Sequence, residues 1–257
     1  VDIPLLSVLS HVAWPAPLAP PAANRLATLF QLEHSQWWPA DELRRAQFRQ
    51  LRELVPYAVR HVPHYAQTLA RFTDAAQVTP ENWSQVPLLT RSQLGADPKR
   101  IVSRQVPRDH GRQAPMRTSG STGVAVDIVA TELTEFFWGV YTLREHFWHR
   151  RDFSQKLMAI RYPRGQDKPL PGPQRSPQWG TATDAVVRTG AAVMYDVRLD
   201  ISYLADQLIA ERPGYLLGHA SVLGGLIEHC ERRGIKPHGL LELRPMGEMM
   251  PFDLRER

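Results

Sequence analysis

The chain has 257 residues, 43% of them apolar, and a formal net charge of +5, enough for one large domain or two modest ones with an ordinary core. No apolar run approaches the roughly 20 residues that span a bilayer, and no basic-then-apolar leader opens the chain, so a soluble cytoplasmic protein without a membrane partner is expected. Cys230 is the only cysteine, which excludes an intramolecular disulfide and a cysteine-built zinc site and agrees with a reducing compartment.

The basic balance invites a nucleic-acid reading, because phosphate backbones are held by clustered Lys and Arg. The distribution argues against it. Of the 31 basic residues only Lys99, Lys156, Lys168 and Lys236 are lysines, and the arginines are scattered near acids. Pairs such as Arg150-Arg151 and Arg232-Arg233 fall where helices are expected to end, which assigns them to dipole compensation and solubility. No nucleic-acid partner is expected.

Residues 1–22 carry Pro4, Pro15, Pro17, Pro20 and Pro21 and read as an irregular N-terminal segment, since proline lacks an amide donor. Asp41 is placed to cap a helix whose apolar positions Leu43, Leu51, Leu54 and Val55 recur until Pro56 disturbs it. A turn over residues 61–65 precedes another short helix, and residues 86–94 read as an extended piece entering a helix capped by Thr90. Residues 23–111 are therefore expected to be mainly helical.

After Gly111 the texture changes. Residues 114–117 and 124–129 read as two strands around a Gly/Ser/Thr loop, a hairpin. Over residues 132–150, Leu133, Phe136, Phe137, Val140, Leu143, Phe147 and Trp148 recur at helical spacing. A strand over 156–161 and a long Pro/Gly-rich loop over 163–177 follow. Two strand-helix units come next: 191–195 leads past the cap Asp200 into a helix ended by Pro213-Gly214, and 215–217 leads into a helix ended by Gly234. Residues 112–257 are thus expected to form an α/β core with a partly parallel sheet and flanking helices. No internal repeat or low-complexity block is present.

The loop itself can act chemically. Gly120 and Gly123 remove side chains from the path of a ligand, while Ser119, Ser121 and Thr122 add hydroxyls beside exposed amides, so phosphate oxygens can be surrounded by hydrogen bonds. A plain polar hairpin turn is the structural alternative. The loop lacks the Gly-Lys-Ser/Thr ending of a Walker loop and leads into a strand, so ordinary P-loop ATPases match poorly.

The order Arg117-Thr118-Ser119-Gly120-Ser121-Thr122-Gly123 closely resembles the signature of the adenylate-forming superfamily of acyl-CoA ligases, adenylation domains and luciferases. Further segments resemble its phenylacetate-CoA ligase branch with the CapK-like relatives: His61-Val62-Pro63-His64-Tyr65, Val86-Pro87-Leu88-Leu89-Thr90-Arg91-Ser92-Gln93-Leu94, the stretch from Arg212 through Leu223, and Met246-Gly247-Glu248-Met249-Met250-Pro251. The resemblance runs from about residue 45 to the end. It implies the N-terminal part of that superfamily's large domain. It also implies attack of a small-molecule carboxylic acid, aryl or hydrophobic, on magnesium-bound ATP (Mg2+ and ATP as cofactors), then transfer of the acyl group to coenzyme A or a carrier-protein thiol. By motif match Thr118, Ser119, Gly120, Ser121, Thr122 and Gly123 contact phosphate, Gly247 and Glu248 lie beside the nucleotide or acyl pocket, and His219 and Ser221 line the acyl pocket. No catalytic residue and no metal ligand is assigned.

Departures from the family pattern accompany the matches. Val124-Ala125 stand where many members have lysine or proline, His219 stands for the usual Tyr, and Ala220 for the usual Pro. The chain ends at Arg257, before the family's Thr-Glu segment, its ribose-binding Asp and its late catalytic Lys, so roughly the second half of a typical ligase is expected to be missing. A contrasting reading is a non-catalytic nucleotide- or acyl-binding module, or a half-enzyme needing a partner chain. Apolar surface left open would then favour a homodimer.

Other constellations weigh less. His146 and His149 share a helix but find no third ligand at a telling spacing, and Cys230 lies on an apolar stripe and reads as core. No Gly-x-Ser-x-Gly elbow is present. Phe136, Phe137, Tyr141, Phe147 and Trp148 read as core or as one wall of an aryl pocket. Glu248 can equally cap a helix starting near Pro251.

Overall fold

In the computed structural model, which describes residues 3–117, 127–163 and 168–257, the chain divides into two compact units: Ala27–Trp138, and Val1–Leu26 with Gly139–Arg257. The division falls at Trp138, later than the change of texture after Gly111.

The first helix, α1 (Pro20–Ser35), opens on Pro20-Pro21, where a missing amide costs nothing because first-turn amides have no intrahelical partner. In the Ala27–Trp138 unit the longest element is α2 (Ala40–His61), with Asp41 and Glu42 in its first turn and Arg60 and His61 in its last, the charge order that suits the helix dipole. Asp41 is not the cap: Pro39 holds that position without a side-chain bond. Nor does Pro56 end the helix. It is buried within α2, beside a stripe in which Phe48, Val55 and Val59 cluster with Leu69, Phe72 and Val78. Burial of that stripe outweighs the lost backbone bond.

Short helices follow: α3 (Pro63–Thr68), α4 (Pro80–Trp83) and α5 (Arg91–Ala96). Thr90 and Gln93 form a reciprocal capping box at α5, with Gln93 Oε1 accepting from the Thr90 amide at 2.8 Å and Thr90 Oγ1 accepting from the Gln93 amide at 3.3 Å. Then β1 (Gln113–Arg117) pairs antiparallel with β2 (Asp127–Thr131), from Gln113 opposite Thr131 to Arg117 opposite Asp127. The hairpin groups with the helical residues: Ile128 and Val129 line a cavity of about 290 Å³ together with Val62, Leu94, Ile101 and Val102. Residues 118–126 lie outside the described residues.

The second unit is built on a five-stranded sheet. After α6 (Glu132–Trp148), the strands are β3 (Leu157–Arg161), β4 (Gln174–Ser176), β5 (Ala192–Asp196), β6 (Tyr215–His219) and β7 (Glu242–Met246). Their spatial order is β4-β5-β3-β6-β7. β5, β3, β6 and β7 run parallel, and β4 joins β5 antiparallel at one edge. The helices α7 (Ile201–Glu211) and α8 (Ala220–Arg232) connect β5 to β6 and β6 to β7, and their Leu204, Leu208, Leu223, Leu226 and Cys230 form one core with Met158, Ile160, Val193, Tyr195 and Leu216 of the strands. β3 is buried at four successive positions, as expected of a central parallel strand covered on both faces. Asp200 caps α7 by accepting from the Ser202 amide at 2.7 Å, and Arg212 closes it in the left-handed region at φ 46°. Residues 3–19 strap onto this unit through bridges Leu5–Val187 and Ser7–Leu18. The last helix is α9 (Phe252–Glu256). No helix among the described residues is long and apolar enough to cross a membrane.

One reading of the charges changes. Arg151 is not a solvated helix-end cation: its side chain is 2% exposed, and it donates to Glu242 through Nε at 2.8 Å and Nη2 at 2.6 Å, and to Glu145 at 2.9 Å. Its Nη1 lies 3.2 Å from His146 Nδ1. A guanidinium can only donate, so Nδ1 accepts and the His146 proton sits on Nε2. Burial, with Arg244 and Arg151 beside it, pushes His146 down to about 3. His146 is a neutral core histidine, and among the described residues no group of three His, Cys, Asp or Glu is placed to hold a metal ion.

Candidate functional site

Open parallel sheets bind ligands outside the carboxyl ends of their strands, at the point where strand order reverses. Among the parallel strands, β3 is followed in sequence by β5 on one side and then by β6 on the other, so the reversal lies between β3 and β6. The residues at those ends are Tyr162, just past β3, and His219, the last of β6. Their ring centroids are 6.3 Å apart, edge to face. β7 lies beside β6 with Met246 opposite His219, which brings Gly247 and Glu248 to the same edge.

The sequence-predicted residues His219, Ser221, Gly247 and Glu248 therefore form one cluster. Gly247 has φ 70°, and a Cβ there would lie 3.0 Å from His219 Cε1 and 3.1 Å from Nδ1. Both the conformation and the approach call for glycine. Glu248 Oε2 accepts from the Ser221 amide at 2.8 Å, in the first turn of α8, where an orphan amide and the dipole favour a carboxylate. Hydrogen bonds from the Ser221 amide and side chain hold the Glu248 carboxyl below its ordinary value, with His219 adding to them. Glu248 thus does cap a helix, but that helix is α8; α9, which starts after Pro251, has no side-chain cap bond.

His219 is buried, and its Nδ1 lies 3.8 Å from Glu248 Oε1, beyond hydrogen-bond reach. That nitrogen has no hydrogen-bond partner among the described residues. A buried ring nitrogen without a partner is a polar atom able to donate to or accept from a group at the strand ends. Replacing Glu248 with Ala is expected to lower stability by about 1 kcal/mol, a typical helix-cap loss, and to raise hydrogen exchange at the Ser221 amide; unchanged exchange there would remove Glu248 from this role.

Sequence reading missed part of this edge. Asp196, the last residue of β5, is fully buried and accepts from Arg198 Nη2 at 2.7 Å, Arg198 Nε at 2.9 Å and the Leu170 amide at 3.0 Å. The Arg198 hydrogen bonds lead in holding its carboxyl down to about 2, against the cost of burial. Arg198 also stands 5.7 Å from the centre of the Tyr162 ring. The Asp-x-Arg spacing directly after a strand was the available signal. The residues expected to contact phosphate, Thr118, Ser119, Gly120, Ser121, Thr122 and Gly123, lie outside the described residues, between the paired strands β1 and β2 in sequence.

No protein-family model matches the chain, and no curated protein sequence does. Solved structures do. A 2-hydroxyisobutyryl-CoA ligase in an open conformation with 2-HIB-AMP and CoA matches with TM-score 0.58 and 17% identity, over 82% of this chain and 49% of that one. The ligase in a postadenylation state with R3-HIB-AMP gives TM-score 0.57 and 16% identity, over 80% and 42%. In the thioesterification state with 2-HIB-AMP and CoA it gives 0.56 and 18%, over 80% and 43%. At such identities the likeness is one of fold. The chain spans about half the length of these structures, and its α/β fold, a mixed sheet with flanking helices, is the fold of part of a CoA ligase.

Proposed function

We propose that the chain is part of an adenylate-forming acid-thiol ligase of the phenylacetate-CoA ligase type. The observation that carries this reading is a coincidence of two independent features. One is a fold similar to part of a ligase solved with an acyl-AMP and CoA; the other is a Thr-Ser-Gly-Ser-Thr-Gly run placed between two antiparallel strands. In this reading a carboxylate, aryl or otherwise hydrophobic, attacks the α-phosphate of ATP to give acyl-AMP and pyrophosphate, and a thiol such as coenzyme A then displaces AMP. Residues 112–257 carry the working core, and 23–111 form the helical region before it.

The residues of this chain have defined tasks in that scheme. Amides and hydroxyls of Thr118 to Gly123 hold the phosphates and orient the pyrophosphate leaving group, which is positioning and electrostatic work. Gly247 lets the backbone pass close to His219, and the Glu248 carboxylate fixes residues 246–248 against α8. His219 and Tyr162 then border the acyl or nucleotide moiety at the strand ends. Mg2+ would accompany ATP. Among the described residues no group of three His, Cys, Asp or Glu is placed to hold the ion.

The chain spans 42–49% of the solved ligases, and the second reading is a nucleotide- or acyl-binding module that does not turn over. Calorimetric titration of MgATP into wild type and Gly120→Val, paired with acid-dependent pyrophosphate exchange on a version extended by its downstream coding sequence, tests both. ATP binding lost in Gly120→Val and exchange with at least one acid are expected. Exchange absent across a broad panel of acids, with ATP still bound, would sink the ligase reading and leave the binding module.

A further inference from the structure

The Ala27–Trp138 unit holds a feature the ligase reading does not use. Along α2, Arg44, Arg45, Arg49 and Arg52 recur at spacings of one, four and three residues and line a cavity of about 440 Å³. Its apolar wall is Phe48 and Pro80, and its one carboxylate is Asp41.

Only part of this positive charge is used by the protein. Arg44 sits 4.0 Å from Asp41, both largely exposed, a pair of little energetic weight. Arg52 is anchored through Nε, which donates to the Val78 carbonyl at 3.2 Å. Arg45 and Arg49 make no hydrogen bond or ion pair among the described residues. The carboxylate facing the group from α4, Glu81, is held low mainly by a backbone hydrogen bond and by Thr79, with Arg44 and Arg52 adding to them. Four guanidiniums thus face two carboxylates, and the cavity keeps a net positive charge.

We propose that this cavity binds a small, multiply phosphorylated anion, clasped by Arg44, Arg45, Arg49 and Arg52. Guanidinium forks match phosphate oxygens two at a time, which favours phosphate over a single carboxylate. The volume lies within the usual range for small-molecule pockets. The phosphates take the arginines, and the wall of Phe48 and Pro80 suits an apolar or planar portion of the ligand.

Three phosphate sources share this chemistry: inorganic tripolyphosphate, ATP and coenzyme A. Each is titrated by calorimetry at low salt into wild type, Arg45→Gln/Arg49→Gln and the loop variant Ser121→Ala/Thr122→Ala, with an acidic decapeptide as a fourth probe. At least one phosphate probe is expected to bind about tenfold or more weakly to the arginine variant, in proportion to lost charge-assisted bonds, and as in wild type at this site in the loop variant. The tightest arginine-dependent probe names the source. Since Arg45 and Arg49 are exposed and make no hydrogen bond or ion pair among the described residues, the variant should melt as wild type does. Equal affinity of wild type and arginine variant for all three phosphate probes overturns the proposal, and so does arginine dependence confined to the acidic peptide. Failure of the ligase reading shows instead as a loop variant that leaves ATP binding untouched, so the two outcomes are separable.

Discussion

Glu211→Gln is expected to lower the unfolding free energy by about 3 kcal/mol at neutral pH, because it breaks a buried charge cluster from the centre. The Glu211 side chain is 7% exposed. It accepts from Lys156 Nζ at 3.0 Å, from both terminal nitrogens of Arg175, and from the Tyr195 hydroxyl at 2.9 Å. Tyr195 is fully buried, and burial together with the neighbouring carboxylate raises its phenol well above the ordinary range. The variant therefore leaves Lys156 without its carboxylate and weakens the partner of a hydroxyl that water cannot reach.

The same residue sets an acid dependence. Arg175 leads, followed by Lys156 and Tyr195, in holding Glu211 down to about 2 against an ordinary 4.5, while burial works the other way. A carboxyl whose folded value is depressed stabilises fully above its unfolded value and loses that contribution as pH falls through the folded one. The cluster thus contributes about 2–3 kcal/mol above pH 5, fading between about pH 4.5 and pH 2. Urea unfolding of wild type and Glu211→Gln at pH 7, 5 and 3 reads this directly. The gap between the two should narrow at pH 3, and a gap of constant size would show that Glu211 acts by shape and not by charge. Asp196, held down to about 2 at the opposite end of β5, keeps some acid sensitivity in both proteins.

Gly190→Ala is expected to cost about 3 kcal/mol, the upper end of overpacking penalties. An added Cβ would lie 2.4 Å from the carbonyl oxygens of both Ser154 and Gln155, and backbone atoms cannot swing aside as a side chain can. The Gly190 amide donates to the Phe153 carbonyl at 2.7 Å, and the Leu157 amide to the Ala191 carbonyl at 3.0 Å. Relief of the clash must therefore pull β3 away from β5 where both begin. Since β3 leads directly into Tyr162 and β5 ends at Asp196, a shift in their register also moves two residues of the candidate site. Gly172→Ala is the control: nothing lies within 4 Å of its added Cβ, and its melting should stay close to wild type. A Gly190→Ala protein as stable as that control would show that the 154–155 turn yields freely.

Elements whose causes are local were legible before any coordinates. The Thr90 cap, the Asp200 cap and the helices α6, α7 and α8 all depend on residues within one or two turns, although Phe137, Tyr141 and Trp148 of the α6 stripe, read as core, are exposed. Cys230 was read as core from its stripe and lies in the core. The strands β4 and β7 were not legible. Gln174–Ser176 sits in a Pro/Gly-rich stretch, and Glu242–Met246 contains Pro245 and two charges, a pattern tolerated because β7 is an edge strand. Pro56 misled for the converse reason: its local cost was visible, whereas the burial that offsets it comes from residues 69–78.

The candidate site divides along the same line. Composition and order alone determined that a Gly/Ser/Thr loop stands between two strands and that an α/β core follows a helical region, while the family resemblance of the sequence singled out His219, Ser221, Gly247 and Glu248. Only the tertiary structure decided that the last four meet at one sheet edge, that Glu248 caps α8, and that Asp196, Arg198 and Tyr162 share that edge. It also decided that Arg151 is a buried partner of Glu242, 91 residues away, and not a solvated helix end. The physical reason is range. Caps and periodicities are interactions between near neighbours in sequence, whereas strand order and buried ion pairs join segments dozens of residues apart, and no local pattern encodes which of the many charged residues will meet.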